Sequence, residues 1–456
     1  MIAPARIAAY DILSAVSAGN ADLPTAIAFT RAGLDDERDR ALASEIAAGV
    51  QRWRAALDHL IVEFSKRSID RLDPEIVEIL RLSAYQLLYL TRVPASAVVD
   101  DAVNLARRVG KTSASGFVNA ILRTISRRRR DLPLPPRPSN VRDRDGVLTY
   151  FSTTLSHPRW LAARWYDRLG FDVAEQWLAF NNAPAPVTLR ANRLRLTVEA
   201  LRERLAAENI HVKPARLAPD ALLVDEGHPL RGRGVEDGWF VVQDEASQLV
   251  ALLANAASRS RVLDTCASPG GKTTAMAAAM DARGLLVACD VRGRRMELLR
   301  KTVLASGATN VRLVQADLLK PLPFSQPFDL VVVDAPCSGL GTIRRDPDIR
   351  WRRRERDLAP LAAAELAMLQ HAAEVVAPGG RLVYATCSSE PEENEQVVDA
   401  FLAAASDFEP LDARDASPQL PQAVVDRRGH LRTEPHTHGL EAFFGAVVVR
   451  SSNRWR

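Results

Sequence analysis

Five short apolar runs in the second half of the chain, separated by stretches long enough for helices, constrain the fold more than any other feature. From Arg261 onward they are Val262-Leu263, Leu285 to Cys289, Val311 to Val314, Leu330 to Val333 and Leu382 to Ala385. Short apolar strands alternating with helical patterns predict a parallel sheet covered on both faces. On such sheets ligands bind beyond the carboxyl ends of the strands. Asp264, Cys266, Asp290, Asp317, Asp334, Cys337 and Cys387 all fall at those ends, so a functional site is expected along one edge of a Rossmann-like α/β domain spanning 238–456.

The first third is different. From Ile7 to about Arg129 it is rich in Ala, Leu, Ile and Arg with helical spacing and almost no strand-like alternation, which predicts an all-α domain over 1–130. Asp73-Pro74 supplies a cap residue and a first-turn proline before Ile76, Ile79, Leu80 and Leu87. In the last predicted helix Phe117, Ile121, Leu122 and Ile125 form a candidate buried stripe, leaving Arg123 and the run Arg127 to Arg130 outside it. Arginines at a helix end can complement the dipole and solvate a surface, or contact phosphates; Arg123, Arg127 and Arg128 are candidate RNA contacts on the second reading. Four prolines between Asp131 and Asn140 cannot continue a helix and mark a linker over 131–146. A small α+β module is expected over 147–237, with strand-like alternation from Thr188 to Leu196 and a helix from Val198 to Glu208. A length of 456 residues accommodates this multidomain division.

The formal charge is +4 with Arg far outnumbering Lys, and the four cysteines, at 266, 289, 337 and 387, include no Cys-x-x-Cys pair. A disulfide framework and a zinc site are therefore not expected, and no metal is assigned. No run of about 18 apolar residues occurs, so a cytoplasmic protein without membrane contact is expected; a monomer is the expected state.

The loop Cys266-Ala267-Ser268-Pro269-Gly270-Gly271-Lys272 precedes Thr273-Thr274 and so contains Gly-Lys-Thr. A phosphate-binding P-loop needs a glycine five residues before Gly271, where Cys266 stands, which argues against a nucleoside triphosphate. Two glycines still admit a ligand close to the backbone, and the following helix start offers N–H groups to a carboxylate. S-adenosylmethionine carries a carboxylate and a ribose. Asp290, ending the second strand, can accept the ribose hydroxyls, and Asp317, ending the third, lies where an adenine amino group is expected. Cys337 and Cys387 each close a run of β-forming residues. Such an arrangement suits carbon methylation of a cytosine, because C5 is a poor nucleophile until a thiolate adds to C6. The alternative for either thiol is inert packing, the role expected of Cys289 and, apart from its backbone, of Cys266.

The runs Leu263 to Lys272, Asp334-Ala335-Pro336-Cys337-Ser338-Gly339 and Thr386-Cys387-Ser388 resemble motifs of RNA cytosine-5 methyltransferases of the RsmB/NOP family. Val118-Asn119-Ala120-Ile121-Leu122-Arg123 resembles part of the NusB-like RNA-binding domain on one branch of that group, whose bacterial members act on 16S rRNA. Ser268 stands where the family usually has Ala, and Leu440-Glu441-Ala442-Phe443-Phe444 replaces its usual Asp-Gly-Phe-Phe run. The resemblance implies a class I methyltransferase domain using S-adenosylmethionine, with Cys387 attacking C6, Cys337 assisting product release and Asp334 contacting N3 and the amino group in protonated form. It also implies that Cys266 to Lys272, Asp290, Asp317 and Asp334 surround the cofactor. The group that activates Cys387 is not identifiable from sequence. The target base must be unpaired or flipped out. Arg344 and Arg350, in the arginine-rich segment Arg344 to Arg354 with Trp351, suit RNA backbone tracking and stacking, or else a solvated helix start. The same chemistry on tRNA or 23S rRNA, and a non-catalytic RNA-binding assembly factor, remain open alternatives.

Overall fold

The computed structural model describes residues 2–452. The chain forms two compact units, one running to Pro184 and including Ile343–Glu355, the other comprising Ala185–Thr342 and Arg356 onward.

In the first unit the helices Pro4–Ser17, Leu23–Arg31, Glu37–Ser65, Pro74–Tyr89, Ala95–Arg108 and Ser115–Arg127 surround a core that includes Ile12, Ile46, Leu57, Leu80, Leu105 and Leu122. Asp73 occupies the cap position of Pro74–Tyr89 but makes no side-chain cap bond; its carboxylate instead meets Lys111 Nζ at 3.1 Å. On Ser115–Arg127 the buried stripe is Val118, Ile121, Leu122 and Ile125. Phe117, expected in that stripe, lies one position away and packs at its margin, 5.3 Å from the Arg67 guanidinium.

The module expected over 147–237 is divided. Helices Arg159–Leu169 and Phe171–Asn182 pack with the first unit and are held together by an aromatic layer in which Phe151 stacks on Phe171 at 5.3 Å and Trp165 meets Trp177 at 5.4 Å. The link to the N-terminal helices is Ala55 N–H, which donates to Ser156 Oγ at 2.9 Å; only the sheet portion belongs to the second unit.

That sheet is antiparallel, in the order β2 (His211–Pro214), β3 (Ala221–Glu226), β1 (Thr188–Ala191), β4 (Phe240–Val242). The helix Val198–Ala207, capped by Thr197 through Ala200 N–H at 3.2 Å, covers it with Leu201 and Leu205. The second sheet contains β5 (Arg261–Asp264), β6 (Leu285–Asp290), β7 (Val311–Gln315), β8 (Phe328–Asp334), β9 (Val376–Thr386), β10 (Phe408–Leu411), β11 (Leu431–Thr433) and β12 (Phe443–Arg450). Its order is β10-β12-β9-β8-β5-β6-β7, with β11 paired to β12. Strands β5 to β9 are mutually parallel; β10, β11 and β12 add an antiparallel flank. Successive residues enter opposite cores: Val262, Leu286, Leu330 and Val383 face one, Leu263, Val287, Val331 and Leu382 the other. This double burial explains why the strands read as unbroken apolar runs. No described helix is long and apolar enough to cross a membrane.

Candidate active site

At the carboxyl end of β5 the chain turns through Thr265 to Gly270 into the helix Gly271–Ala279. Thr265 N–H and hydroxyl both reach the Val332 carbonyl, at 3.0 and 2.9 Å, and Ala267 N–H donates to the Cys289 carbonyl at 2.8 Å. Gly270 has φ +105°, a conformation that favours glycine, and a Cβ there would lie close against Leu299 at 3.0 Å and Thr302 at 3.2 Å. From β1, Arg190 reaches beneath the helix start, donating to the Gly271 carbonyl, to Gln243 Oε1 at 2.7 Å and to Thr274 Oγ1 at 2.7 Å. The sequence held no sign of this support, since Arg190 reads as one more arginine of a strand.

Three acids surround this turn. Asp264 is fully buried; burial pushes its carboxyl up to about 7 against the opposing bond from Thr273 Oγ1 at 2.7 Å, and its Oδ1 has no partner. Asp290 binds the loop itself, accepting Ser268 N–H at Oδ2 at 3.2 Å and Val291 N–H at Oδ1, and its Oδ2 forms an ion pair with Arg295 Nε at 3.2 Å. Asp317 accepts Leu319 N–H at 3.0 Å just beyond β7. An orphaned buried acceptor, a turn that favours glycine and acids at successive strand ends fit a ligand rich in amino and hydroxyl groups, as S-adenosylmethionine is. Cys266 and Cys289 behave as packing thiols, both raised chiefly by burial, Cys289 to about 12.

The two remaining cysteines lie at the ends of neighbouring strands. Asp334 on β8 pairs in register with Ala385 on β9, and Ala335 N–H donates to the Ala385 carbonyl at 2.8 Å. Beyond these residues Cys337 and Cys387 bring their Sγ atoms to 3.3 Å. Gly341 N–H donates to the Cys387 carbonyl at 2.9 Å, and a Cβ at Gly341 would stand 2.0 Å from the Ala442 carbonyl oxygen. Lys272, grouped by its position with the cofactor loop, sends Nζ to Asp334 Oδ2 at 2.7 Å and lies 5.8 Å from the Phe443 ring centre. Burial disfavours its charge, but the Asp334 ion pair outweighs that effect and the Cys387 sulfur adds to it, so the ammonium is stabilised. Lys272 and Cys387 thus interact electrostatically, a proximity that no sequence motif revealed.

The arginines divide. Arg123, Arg127 and Arg128 are exposed on or just after the helix Ser115–Arg127, as expected. Arg350 corrects the expectation of an RNA contact: it is 0% exposed, donating to the Ser156 carbonyl at 3.0 Å, Asn182 Oδ1 at 2.9 Å and the Asn181 carbonyl at 3.2 Å. Arg344 lies 4.3 Å over Phe180 and donates to the Pro184 carbonyl at 2.7 Å, and Trp351 Nε1 donates to the Gln51 carbonyl at 2.6 Å. The core of the segment Arg344 to Arg354 is a strut inside the first unit, and the stacking surface expected there is spent on internal contacts.

Comparison with known proteins matches residues 251–449 to the 16S rRNA methyltransferase RsmB/F family, 3–127 to the NusB family and 157–231 to the ferredoxin-like domain of RsmF/B-like methyltransferases. A Bacillus subtilis protein named probable ribosomal RNA small subunit methyltransferase B is 34% identical over 414 residues, 90% of either chain. The Pseudomonas putida ribosomal RNA small subunit methyltransferase B is 35% identical over 437 residues, covering 93% of this chain and 96% of its own. The crystal structure of PH0851 superimposes with a TM-score of 0.80 at 25% identity, covering 98% of this chain and 99% of that one.

Proposed function

This chain belongs to the RsmB/F family of 16S rRNA methyltransferases, and we propose that it methylates C5 of a cytosine in 16S rRNA through a covalent adduct between Cys387 and C6. The observation that carries the reading is the 3.3 Å approach of Cys337 and Cys387 beside the Lys272–Asp334 ion pair. One reactive thiol can be buried by chance; two in contact, next to a stabilised ammonium, form a site for nucleophilic addition and its reversal.

When bound, S-adenosylmethionine supplies an electrophilic methyl group. We assign its surroundings to the turn Cys266 to Gly270, Lys272 and the acids Asp290, Asp317 and Asp334. Cys387 Sγ forms the bond to C6, and the electron pair displaced from the C5–C6 double bond makes C5 nucleophilic. Charge developing toward N3 meets Lys272 and Asp334. An ammonium can donate a proton or hydrogen bond there, and Asp334 orients the lysine and the base. After methylation the C5 proton must leave before the Cys387–C6 bond can break, and we assign Cys337 to that release. Arg123, Arg127 and Arg128 are assigned to RNA phosphates.

Purified protein incubated with methyl-labelled S-adenosylmethionine and separate unmodified 16S rRNA, 23S rRNA and tRNA tests the reading. Label should enter 16S rRNA as 5-methylcytosine, vanish with Cys387→Ala, and accumulate as a protein–RNA adduct with Cys337→Ala. Label in another RNA discards the 16S assignment, and Cys387→Ala retaining parental activity discards the adduct.

A further inference from the structure

The turn assigned to the cofactor is held from behind by a side chain of the small sheet. Arg190 is buried, and its guanidinium donates to the Gly271 carbonyl and to Thr274 Oγ1 at 2.7 Å. The Thr274 hydroxyl in turn donates to the Gly270 carbonyl at 2.9 Å. The carbonyls of both glycines are thus drawn toward Arg190, one directly and one through Thr274. A trans peptide is planar, with its N–H opposed to its C=O. Holding these two carbonyls therefore turns the N–H groups of Gly271 and Lys272 away from Arg190, and among the described residues neither N–H meets an acceptor. Thr274 N–H also bonds the Gly270 carbonyl, at 2.9 Å. The helix Gly271–Ala279 nevertheless has only nine residues, follows one glycine and opens on another, and has no side-chain cap, so its first turn is the part that would fray.

We propose that Arg190 is a positioning residue for S-adenosylmethionine: by fixing the carbonyls of Gly270 and Gly271 it aims the N–H groups of Gly271 and Lys272 at the carboxylate of the cofactor's amino-acid end. As mere packing the arrangement is unfavourable. The three acceptors of Arg190 are all neutral, and its charge stands beside the positive end of a helix, where an apolar side chain would cost less. The far side of the turn is tied to the same segment. Asn192, just past β1, donates to the Ser306 carbonyl at 2.9 Å, at the end of the helix Gly293–Ser306. Leu299 and Thr302 of that helix are the side chains that close on Gly270. The small sheet thus sets the shape of the cofactor turn from both sides, through residues that lie behind it.

This inference rests on the assignment of S-adenosylmethionine to the turn, and its test reads binding, not methyl transfer. The full chain is titrated in a calorimeter with S-adenosylhomocysteine and with its decarboxylated counterpart, which share nucleoside, sulfur and amino group and differ only in the carboxylate. Parental protein should prefer S-adenosylhomocysteine by at least about tenfold. Arg190→Met should lower affinity for S-adenosylhomocysteine by about tenfold and leave that for the decarboxylated compound within about twofold. Arg190→Lys, which keeps a charge and loses the fork, should share the defect. Thr274→Val, which removes the link to Gly270 at nearly constant shape, should narrow the preference about threefold and serves where the arginine variants do not fold. Any of the three that folds and keeps the parental preference overturns the proposal. So does equal loss of both compounds, the mark of a general defect in the fold. Parental protein that binds the two compounds alike also overturns it, while leaving the cofactor assignment intact; parental protein that binds neither removes that assignment and this inference together.

Discussion

Replacing Arg350 by alanine separates two physical roles that the sequence leaves indistinguishable. The guanidinium donates to three acceptors within 3.2 Å, the Ser156 and Asn181 carbonyls and Asn182 Oδ1, with the Arg52 carbonyl and His157 Nδ1 farther off at 3.4 Å. No carboxylate among the described residues pairs with it, and burial, then Arg52, lower its pKa well below the usual value. Truncation strips a donor from three buried acceptors, each worth about 1 kcal/mol at the low end, since a carbonyl keeps a second lone pair. It also leaves the volume of a long side chain, about 2 kcal/mol or more when the walls do not collapse. Removing a desolvated charge returns part of this, for a net loss of about 3–4 kcal/mol. In a unit of about 200 residues each kcal/mol shifts the midpoint by roughly 2–4 °C, so a fall of about 10 °C is expected. Thermal denaturation of the full chain measures it, alongside 16S rRNA binding over a salt series at low temperature. The slope of log affinity against log salt should be unchanged. Parental melting with a slope smaller by about 0.9 would refute the buried-strut argument and restore Arg350 as a phosphate contact.

Combined substitution of Arg123, Arg127 and Arg128 by alanine should behave in the opposite way, leaving melting within about 1 °C and reducing the salt slope by roughly 2–3 in filter binding. Gly341→Ala drives a methyl group to 2.0 Å from the Ala442 carbonyl oxygen and 2.7 Å from that of Cys387. The displaced turn should lower methyl transfer by about a hundredfold while calorimetry finds parental affinity for S-adenosylmethionine; equal loss of both would place the damage in the fold and not in the cysteine geometry.

The parallel strands were legible because double burial writes itself as uninterrupted apolar runs, and strand ends follow once the runs are located. Hence Asp264, Asp290, Asp334, Cys337 and Cys387 were found together without structural help. Lys272 is legible only as part of the loop, whose position gives no hint that its side chain reaches Asp334. Arg190 was missed for a different reason: an arginine in a short strand is ordinarily solvated, and nothing local reveals that this one is excluded from water. Arg350 failed in the same way, because an arginine-rich segment reads as surface until a tertiary partner buries it. The divided module shows the corresponding limit for boundaries. Composition changes at the proline-rich linker, whereas tertiary contacts such as Ala55 N–H to Ser156 Oγ, which leave no mark in the local sequence, tie the following helices to the first unit.

The excursion of Ile343–Glu355 into the first unit has a consequence for how such a protein can be divided. A fragment beginning at Ala185 would contain every residue assigned to the methyl transfer, yet would carry Asp348 and Arg350 without Leu23, Ser156, Asn181 and Asn182, the groups that receive them. A fragment ending at Pro184 would keep those acceptors and lose the guanidinium that satisfies them. The natural seam in the amino-acid order is therefore not a seam in the folded protein, and neither recombination at that point nor cleavage there releases two finished pieces.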